Sequence, residues 1–522
     1  MIPSSAVTAY LERPLESHLW VKKLTSKQLD WALAALQPPP DLTPGLRIHQ
    51  KACVLLGIAY PSFCYWLEMG TGKTLISLEL LKYWFKCGKI KRAVVFVTSD
   101  KAFDTWERQV RRFKVDIPVL ALEGSSERKW RQLEEFGEGI VLLPYPGAVA
   151  MTSSRQSKKG SKKKKQFALD NKLVSKLAEW ADALVIDEST KCGNHRSLTY
   201  KLVAKLKKRA FARYALAGRP FGRDPTMLWP QYNLVDDGET LGETLGMFRA
   251  GFFEEKKRRF GGPHAKDYKF KKSLRPLLSK VMRHRSITYA ADECIDLPKV
   301  VPVTEKLKLP DETRVYYARL KEELIAARGN FREIENVFLR ARQLSSGFIG
   351  LKDDETGEKA QVVFDENPKI DRLMELLDEL PEGRKAVVFY VFTHTGRTIV
   401  QRLEEAGLKP MWLWSGTKNG RKELLRFQED PNTTVAVVNS QLAAMSLDGL
   451  QEVANYLFFV ESPVSPIDRA QAEKRLVRDG QKHTVFMYDL LVKGTVDEKI
   501  RLFHEEGDDI FEALMRRSEE LF

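Results

Sequence analysis

The stretch from Phe63 to Leu81 constrains this chain more than any other. An apolar run ends at Leu67, a turn carries glycines at 70 and 72, and Lys73-Thr74 opens the amphipathic segment Leu75 to Leu81. Strand, glycine turn and helix N-terminus in that order make a cradle for phosphate. Glycine lets backbone N–H groups turn toward an anion, and the helix dipole favours negative charge at that end. Met69, Gly70, Thr71 and Gly72 would line the cradle, Lys73 would reach the β- and γ-phosphates, and the Thr74 hydroxyl would ligate Mg²⁺. Leu67 stands where the general pattern has a glycine. The bland alternative is an ordinary strand–turn–helix with a solvated lysine. The flanks favour nucleotide binding, with ATP and Mg²⁺ as the implied ligands.

At 522 residues the chain exceeds one domain, and two α/β domains with additions are expected. A hydrophobic content of 43% is ample for packed cores. No apolar stretch approaches the length of a membrane span, and the N-terminus lacks a signal-peptide core. The five cysteines (Cys53, Cys64, Cys87, Cys192 and Cys294) have no paired spacing, which points away from zinc and from a disulfide framework. A net charge of +15 calls for a polyanionic partner. Beside a nucleotide site, that partner reads as nucleic acid.

Residues 1–45 read as an N-terminal leader with a short helix over Ser26 to Leu36, ended by Pro38-Pro39-Pro40. A first α/β domain is expected over 46–298. Gln50 precedes the phosphate loop, where its amide could read an adenine edge. The run Ala93 to Thr98 is a buried strand, and Phe103 to Phe113 has helical spacing with Arg108, Arg111 and Arg112. Residues 151–165 change to Ser, Lys and Gly, ending in Lys162 to Lys165, and read as a solvated basic loop. A second chemical landmark follows at Ala183 to Thr190. Four apolar residues drive a strand through the core and deliver Asp187 and Glu188 at its end. Asp187 is placed to hold Mg²⁺, and Glu188 to orient the attacking water. The strand Arg213 to Ala217 ends in Gly218-Arg219-Pro220. Residues 240–298 read as a helical basic extension, with Lys256 to Arg259 and Lys269 to Lys272 among aromatics.

A second α/β domain is expected over 299–522, with a helical insertion at 308–350 and a C-terminal helix at 496–522. Its strands carry no phosphate loop. Its candidate contribution is the segment Asp468 to Gln481, where Arg475 and Arg478 sit three apart on one expected helical face. Supplied from the second domain, a guanidinium can stabilise charge on a transferring γ-phosphate.

Taken in order, these blocks resemble the SNF2-type ATPases of helicase superfamily 2 over roughly residues 46 to 500. Gly70-x-Gly72-Lys73-Thr74 is the loop variant common among helicase-like ATPases. Glu68 to Thr74 is similar to motif I and Thr98 to Phe113, with Trp106-Glu107, to motif Ia. Asp187-Glu188-Ser189-Thr190 resembles a DESH-type motif II, and Leu216 to Leu234, with Gly218-x-Pro220 and Gln231, resembles motif III. The run Gln471-Ala472-x-x-Arg475-x-x-Arg478-x-Gly480-Gln481 resembles motif VI, and Pro368-Lys369-Ile370-x-x-Leu373 opens the second domain in the same style. Three positions depart from the pattern. Thr190 replaces a histidine, Arg219 replaces a threonine, and Ser446 to Gln451 replaces a glycine-rich motif V.

The resemblance implies an α/β fold of two RecA-like parallel-sheet lobes with helical insertions and ATP in the cleft. It assigns Lys73, Asp187, Glu188, Arg475 and Arg478 to catalysis, Gln50, Gln471 and the 69–74 loop to nucleotide binding, and Thr74 with Asp187 to Mg²⁺. The implied function is ATP-dependent translocation on duplex DNA through the sugar–phosphate backbone, without a membrane. Two alternatives stand beside it: a strand-separating or annealing helicase, and an ATP-gated DNA clamp or recruitment subunit. The compact organisation is similar to that of phage or bacterial members, with a prokaryotic cytoplasm as the expected location rather than a nucleus.

Overall fold

Short runs of β-branched and aromatic residues form strands that are apolar on both faces, the composition that a parallel sheet covered by helices requires. The computed structural model describes residues 10, 12–157, 165–221, 225–257, 266–326, 331–352, 359–417, 419–444 and 449–506. The chain divides into two compact units, Met1–Ile295 and Asp296–Phe522.

The first unit is built on a seven-stranded sheet. Its spatial order is Ser286–Tyr289, Ser62–Leu67, Ala212–Ala217, Ala183–Ile186, Arg92–Val97, Gly139–Pro144 and Val119–Ala121. Every neighbouring pair runs parallel. Alternate side chains of each strand point to opposite faces. Cys64, Trp66, Val94 and Phe96 enter one apolar core, while Phe63, Tyr65, Leu67, Val95 and Val97 enter the other. Several aromatic residues that carry polar tips into these cores pair those tips with one another. Trp66 Nε1 donates to Tyr232 Oη at 2.9 Å, and Trp84 Nε1 donates to Tyr214 Oη at 2.6 Å.

The second unit has a six-stranded parallel sheet in the order Val300–Leu307, Val485–Val492, Ala454–Phe459, Lys385–Tyr390, Val435–Asn439 and Met411–Leu413. The fold is therefore α/β with two parallel sheets, as expected. Lys369, wholly buried, makes an ion pair of 2.6 Å with Asp497. That carboxylate also accepts from Val492 N–H and Ser345 Oγ–H, both at 3.1 Å. Removing one partner of a buried pair strands the other, so Lys369→Met is expected to destabilise this unit by about 3–5 kcal/mol. An unchanged denaturation midpoint for the second unit would show that the pair carries no weight.

Several segments differ from their sequence expectation. The leader is part of the first unit's core: Val21, Leu29 and Leu33 are buried in it, and Thr25 caps the Ser26–Ala34 helix. The 151–165 stretch is an antiparallel hairpin in its described part, pairing Ser153–Ser157 with Lys165–Leu169 and anchored by Leu169 against the core. Lys162 to Lys164 lie outside the described residues. The 240–298 extension is helical only over Leu245–Phe252 and Arg275–Met282. Between them Phe253–Lys257 pairs antiparallel with Lys266–Phe270, because Phe253 and Phe270 pack edge to face across the register and Arg249 lies over the Tyr268 ring. Arg258 and Arg259 fall outside the described residues. In the 308–350 insertion, helices Asp311–Ala326 and Phe331–Leu344 are followed by a strand, Phe348–Lys352, that pairs with Lys359–Val363. The final described helix is Val496–Glu506, and 507–522 lie beyond the described residues. Among the described residues no helix is long and apolar enough to cross a membrane.

Candidate active site

The phosphate-loop candidate begins where the Ser62–Leu67 strand ends, and the Lys73–Lys86 helix starts directly behind it. Gly70 and Gly72 take φ of +86° and +92°, which L side chains rarely adopt. A Cβ on Gly72 would also lie 2.3 Å from Gln50 Nε2, so a larger residue there would have to displace the Gln50 amide. Behind the loop, His49 Nε2 donates to the Thr71 carbonyl at 2.7 Å and Gln50 Nε2 to the same oxygen at 3.2 Å. Gln50 Oε1 accepts the Arg47 N–H at 2.9 Å. The loop is pinned from its other side as well, since Glu68 Oε2 accepts the Ala291 N–H at 3.1 Å. Lys73 Nζ donates to the Leu67 and Glu68 carbonyls at 2.9 and 3.3 Å, which folds the ammonium over the turn at the head of its helix. Met69 sits in that turn, and Thr74 follows Lys73 in the first helical turn.

Two strands away in the same sheet, Ala183–Ile186 delivers Asp187 and Glu188 at its carboxyl end. Asp187 Oδ1 accepts the Glu188 N–H at 3.0 Å, and Oδ2 accepts the Trp106 indole N–H at 3.2 Å. Tyr145 Oη donates to the Asp187 carbonyl at 2.6 Å, its ring stacked on Phe96. Burial pushes the Asp187 carboxyl up to about 6, and the adjacent Glu188 charge adds to that. The Lys73 ammonium and the two hydrogen bonds oppose the rise, so Lys73 and Asp187 lie within electrostatic reach of each other. Glu188 has φ +48° and ψ 55°, a left-handed backbone unusual for a residue with a side chain. Such a conformation persists only where the surroundings enforce it. Here Asp187 is held on three sides, and the Ser189–Cys192 turn begins immediately after.

The donor set fits a hard divalent cation. A threonine hydroxyl and one carboxylate are oxygen donors, and Mg²⁺ characteristically takes few protein ligands beside water and phosphate oxygens. Trp106 and Tyr145 are the supports that sequence reasoning missed. Trp106 lies in an expected motif, but nothing local marks an indole for a carboxylate 81 residues further on. Outer hydrogen bonds of this type alter metal affinity by about 10- to 100-fold. Trp106→Phe is therefore expected to raise the Mg²⁺ concentration for half-maximal turnover toward that range, with little change at saturating Mg²⁺. A Mg²⁺ titration at fixed ATP checks it, and an unchanged midpoint would leave Trp106 as a packing residue.

In the second unit, Gln471 lies half-buried on the Pro466–Glu473 helix, which Ser465 caps. The helix ends at Glu473, so the expected shared helical face of Arg475 and Arg478 is corrected: both lie in the turns that follow. The Arg475 N–H bonds the Ala472 carbonyl and the Leu476 N–H that of Glu473, both at 3.1 Å, a tightening that drops Leu476 into the core. Arg475 is buried and Arg478 half-buried. The neighbouring Arg469 has a structural role. Buried over the Phe459 ring, it pairs with Glu473 at 2.7 Å and with Asp489.

The geometry is that of a nucleotide-binding parallel sheet, and comparison with known proteins names its family. Residues 67–355, more than half of the chain, match the SNF2-related domain. The chain belongs to the SNF2-related family. It is 21% identical over 514 residues to YwqA of Bacillus subtilis, which carries the provisional name ATP-dependent helicase/translocase, covering 95% of this chain and 51% of that protein. It is 22% identical to the Zorya protein ZorD of Escherichia coli, covering 95% of this chain and 44% of ZorD. The SNF2-related chain thus spans about half the length of these curated relatives. Among solved structures, the Hef helicase domain of Pyrococcus furiosus aligns with a TM-score of 0.50 at 15% identity, over 88% of this chain and 98% of that one. That likeness concerns the fold. As in other SNF2-related proteins, the two sheets are RecA-like lobes. The expected motif V residues Ser446 to Asp448 lie outside the described residues.

Proposed function

We propose that this SNF2-related chain is an ATP-driven motor that translocates along duplex DNA. One observation carries the reading: the glycine loop with Lys73 and the acidic pair Asp187–Glu188 converge at the carboxyl end of one parallel sheet, in a member of this family. Crevices at that edge are where open α/β sheets bind ligands. In the proposed mechanism the nucleotide phosphates rest on the N-terminus of the Lys73–Lys86 helix. Lys73 exchanges the Leu67 and Glu68 carbonyls for phosphate oxygens. Gln50 and Gln471 serve nucleotide binding. Thr74 and Asp187 would hold Mg²⁺, and a bound ion would supply positive charge beside the phosphates. Glu188 orients water for in-line attack and takes its proton. Arg475 and Arg478 add positive charge to the transition state.

The duplex contact is read from charge. The exposed face of the Phe103–Arg112 helix carries Arg108, Arg111 and Arg112, and Lys269, Lys272 and Arg275 are exposed around the second hairpin. Such charge meets phosphates, which carry no sequence information. DNA binding is expected to weaken steeply with salt and to vary little with base composition. Turnover should be stimulated more by duplex than by single strands. Triplex displacement tests translocation directly, because a motor running along the duplex removes the third strand. Forked-duplex unwinding with stimulation by single strands alone would favour a strand-separating helicase. Turnover without displacement in either assay would favour an ATP-gated clamp.

A further inference from the structure

The 69–74 loop is framed by the Ile48–Ala59 helix with His49 and Gln50, by the Lys73–Lys86 helix, and by the stretch 284–293, whose Ala291 N–H holds Glu68. The segment from His18 to Thr43, which precedes the matched residues 67–355, touches each of these. His18 Nε2 donates to the His284 carbonyl at 2.8 Å. Lys22 lies over the Tyr289 ring at 4.2 Å and pairs with Glu293 at 2.6 Å. Lys51, directly after Gln50, reaches back to the Ser26–Ala34 helix, donating to Ser26 Oγ at 3.0 Å and pairing with Asp30 at 2.6 Å.

The contact with the phosphate-loop helix is the most specific. Glu79 on that helix is only 1% exposed. Such a carboxylate is costly to bury unless it is paired and hydrogen-bonded. Lys82 pairs with it at 3.1 Å from the same helix. Thr43 adds two donors from outside, its N–H to Oε2 at 3.2 Å and its Oγ–H to Oε1 at 2.5 Å. One turn further on, Lys86 donates to the Pro39 carbonyl at 3.0 Å and to Asp41 at 2.9 Å. The helix headed by Lys73 is thus tied to the same short segment that grips the residue beside Gln50.

Building on the proposed ATPase reading, we infer that residues 18–43 form a strap over the nucleotide site, with Thr43 and Lys51 as positioning residues that act through the two helices on affinity for ATP. A nucleotide bridging Lys73 and Gln50 favours the helix arrangement that the docked strap already holds. The effect is reciprocal, so bound nucleotide tightens the strap by the factor that the strap adds to nucleotide affinity.

The test uses the full chain and magnesium AMP-PNP. Hydrogen exchange is followed over residues 18–43 and over the 68–74 loop, with and without nucleotide. Turnover is measured for Thr43→Val, which removes the hydroxyl at nearly constant shape, and for Thr43→Ser, which keeps it. Wild type is expected to exchange more slowly in both segments once nucleotide binds. Thr43→Val should raise KM for ATP by at least about 5-fold, the lower end of usual coupling, with kcat kept at saturating ATP. Thr43→Ser should stay near wild type. Protection of the 68–74 loop with no change over 18–43 would overturn the inference, because a segment that only stabilises the fold does not respond to nucleotide. An earlier-melting Thr43→Val protein with unchanged KM would overturn it too. Should Thr43→Val fail to fold, the wild-type exchange result decides. A wild type without nucleotide-dependent protection in either segment would instead remove the proposed ATP site, and the strap's role with it.

Discussion

Replacing Glu188 with glutamine is expected to abolish measurable ATP turnover while ATP and DNA still bind. The substitution keeps the size of the side chain and removes its ability to take a proton. A positioned general base contributes about 10²- to 10⁴-fold. The loss should be concentrated in kcat, because the left-handed backbone at Glu188 and the Tyr145 bond to the Asp187 carbonyl depend on the main chain and neighbouring side chains. Lys73→Ala should also abolish turnover, by a different route. It removes the phosphate-facing charge and the cation that opposes protonation of Asp187. Its failure should therefore appear in nucleotide affinity as well as rate. Equilibrium binding of a fluorescent ATP analogue beside steady-state turnover separates the two. Wild-type hydrolysis by Glu188→Gln would remove Glu188 as the water-orienting residue.

The parallel sheets were legible because their strands are short apolar runs with chemistry at one end. Phe63 to Leu67 before the glycines and Ala183 to Ile186 before two carboxylates each join an apolar strand to a polar turn within a few residues. The hairpins at Ser153–Leu169 and Phe253–Phe270 were hidden by composition. Backbone pairing holds polar segments such as Ser153–Ser157, and charge counts do not see it. The core contacts of residues 1–45 are hard to see in sequence because few residues carry them: Val21 lies in one turn, and Leu29 and Leu33 lie four apart on one short helix. At the site, residue types could be read in order, but the links between them are long-range. Trp106 to Asp187 and Ser189 to Gln231 are side-chain bonds across 81 and 42 residues, and the positive φ of Glu188 has no signature in a glutamate. The two arginines were misplaced for a related reason: spacing of three suggests a helical face only while the helix continues, and this one ends at Glu473.

That ending shapes what Arg475→Ala should do. Removing an arginine that stabilises phosphoryl-transfer charge costs about 10³ to 10⁵ in rate. Because such a group acts mainly on the transition state, ATP affinity should change far less than kcat. Arg475 is buried beside the core residue Leu476, so its truncation can also disturb packing, whereas Arg478 is only half-buried. The pair therefore provides its own control. A catalytic role predicts that Arg478→Ala lowers kcat while the second unit melts normally, and that Arg475→Ala lowers kcat by more than its change in melting can explain. Arg475→Lys keeps the charge but loses the planar fork of donors, so it should recover only part of the rate. Hydrolysis would then depend on residues of the second unit, although Lys73, Asp187 and Glu188 all belong to the first. Near-normal kcat in both alanine variants would confine nucleotide chemistry to the first unit and leave Arg475 with a structural role, like that of Arg469 on Asp489 and Glu473.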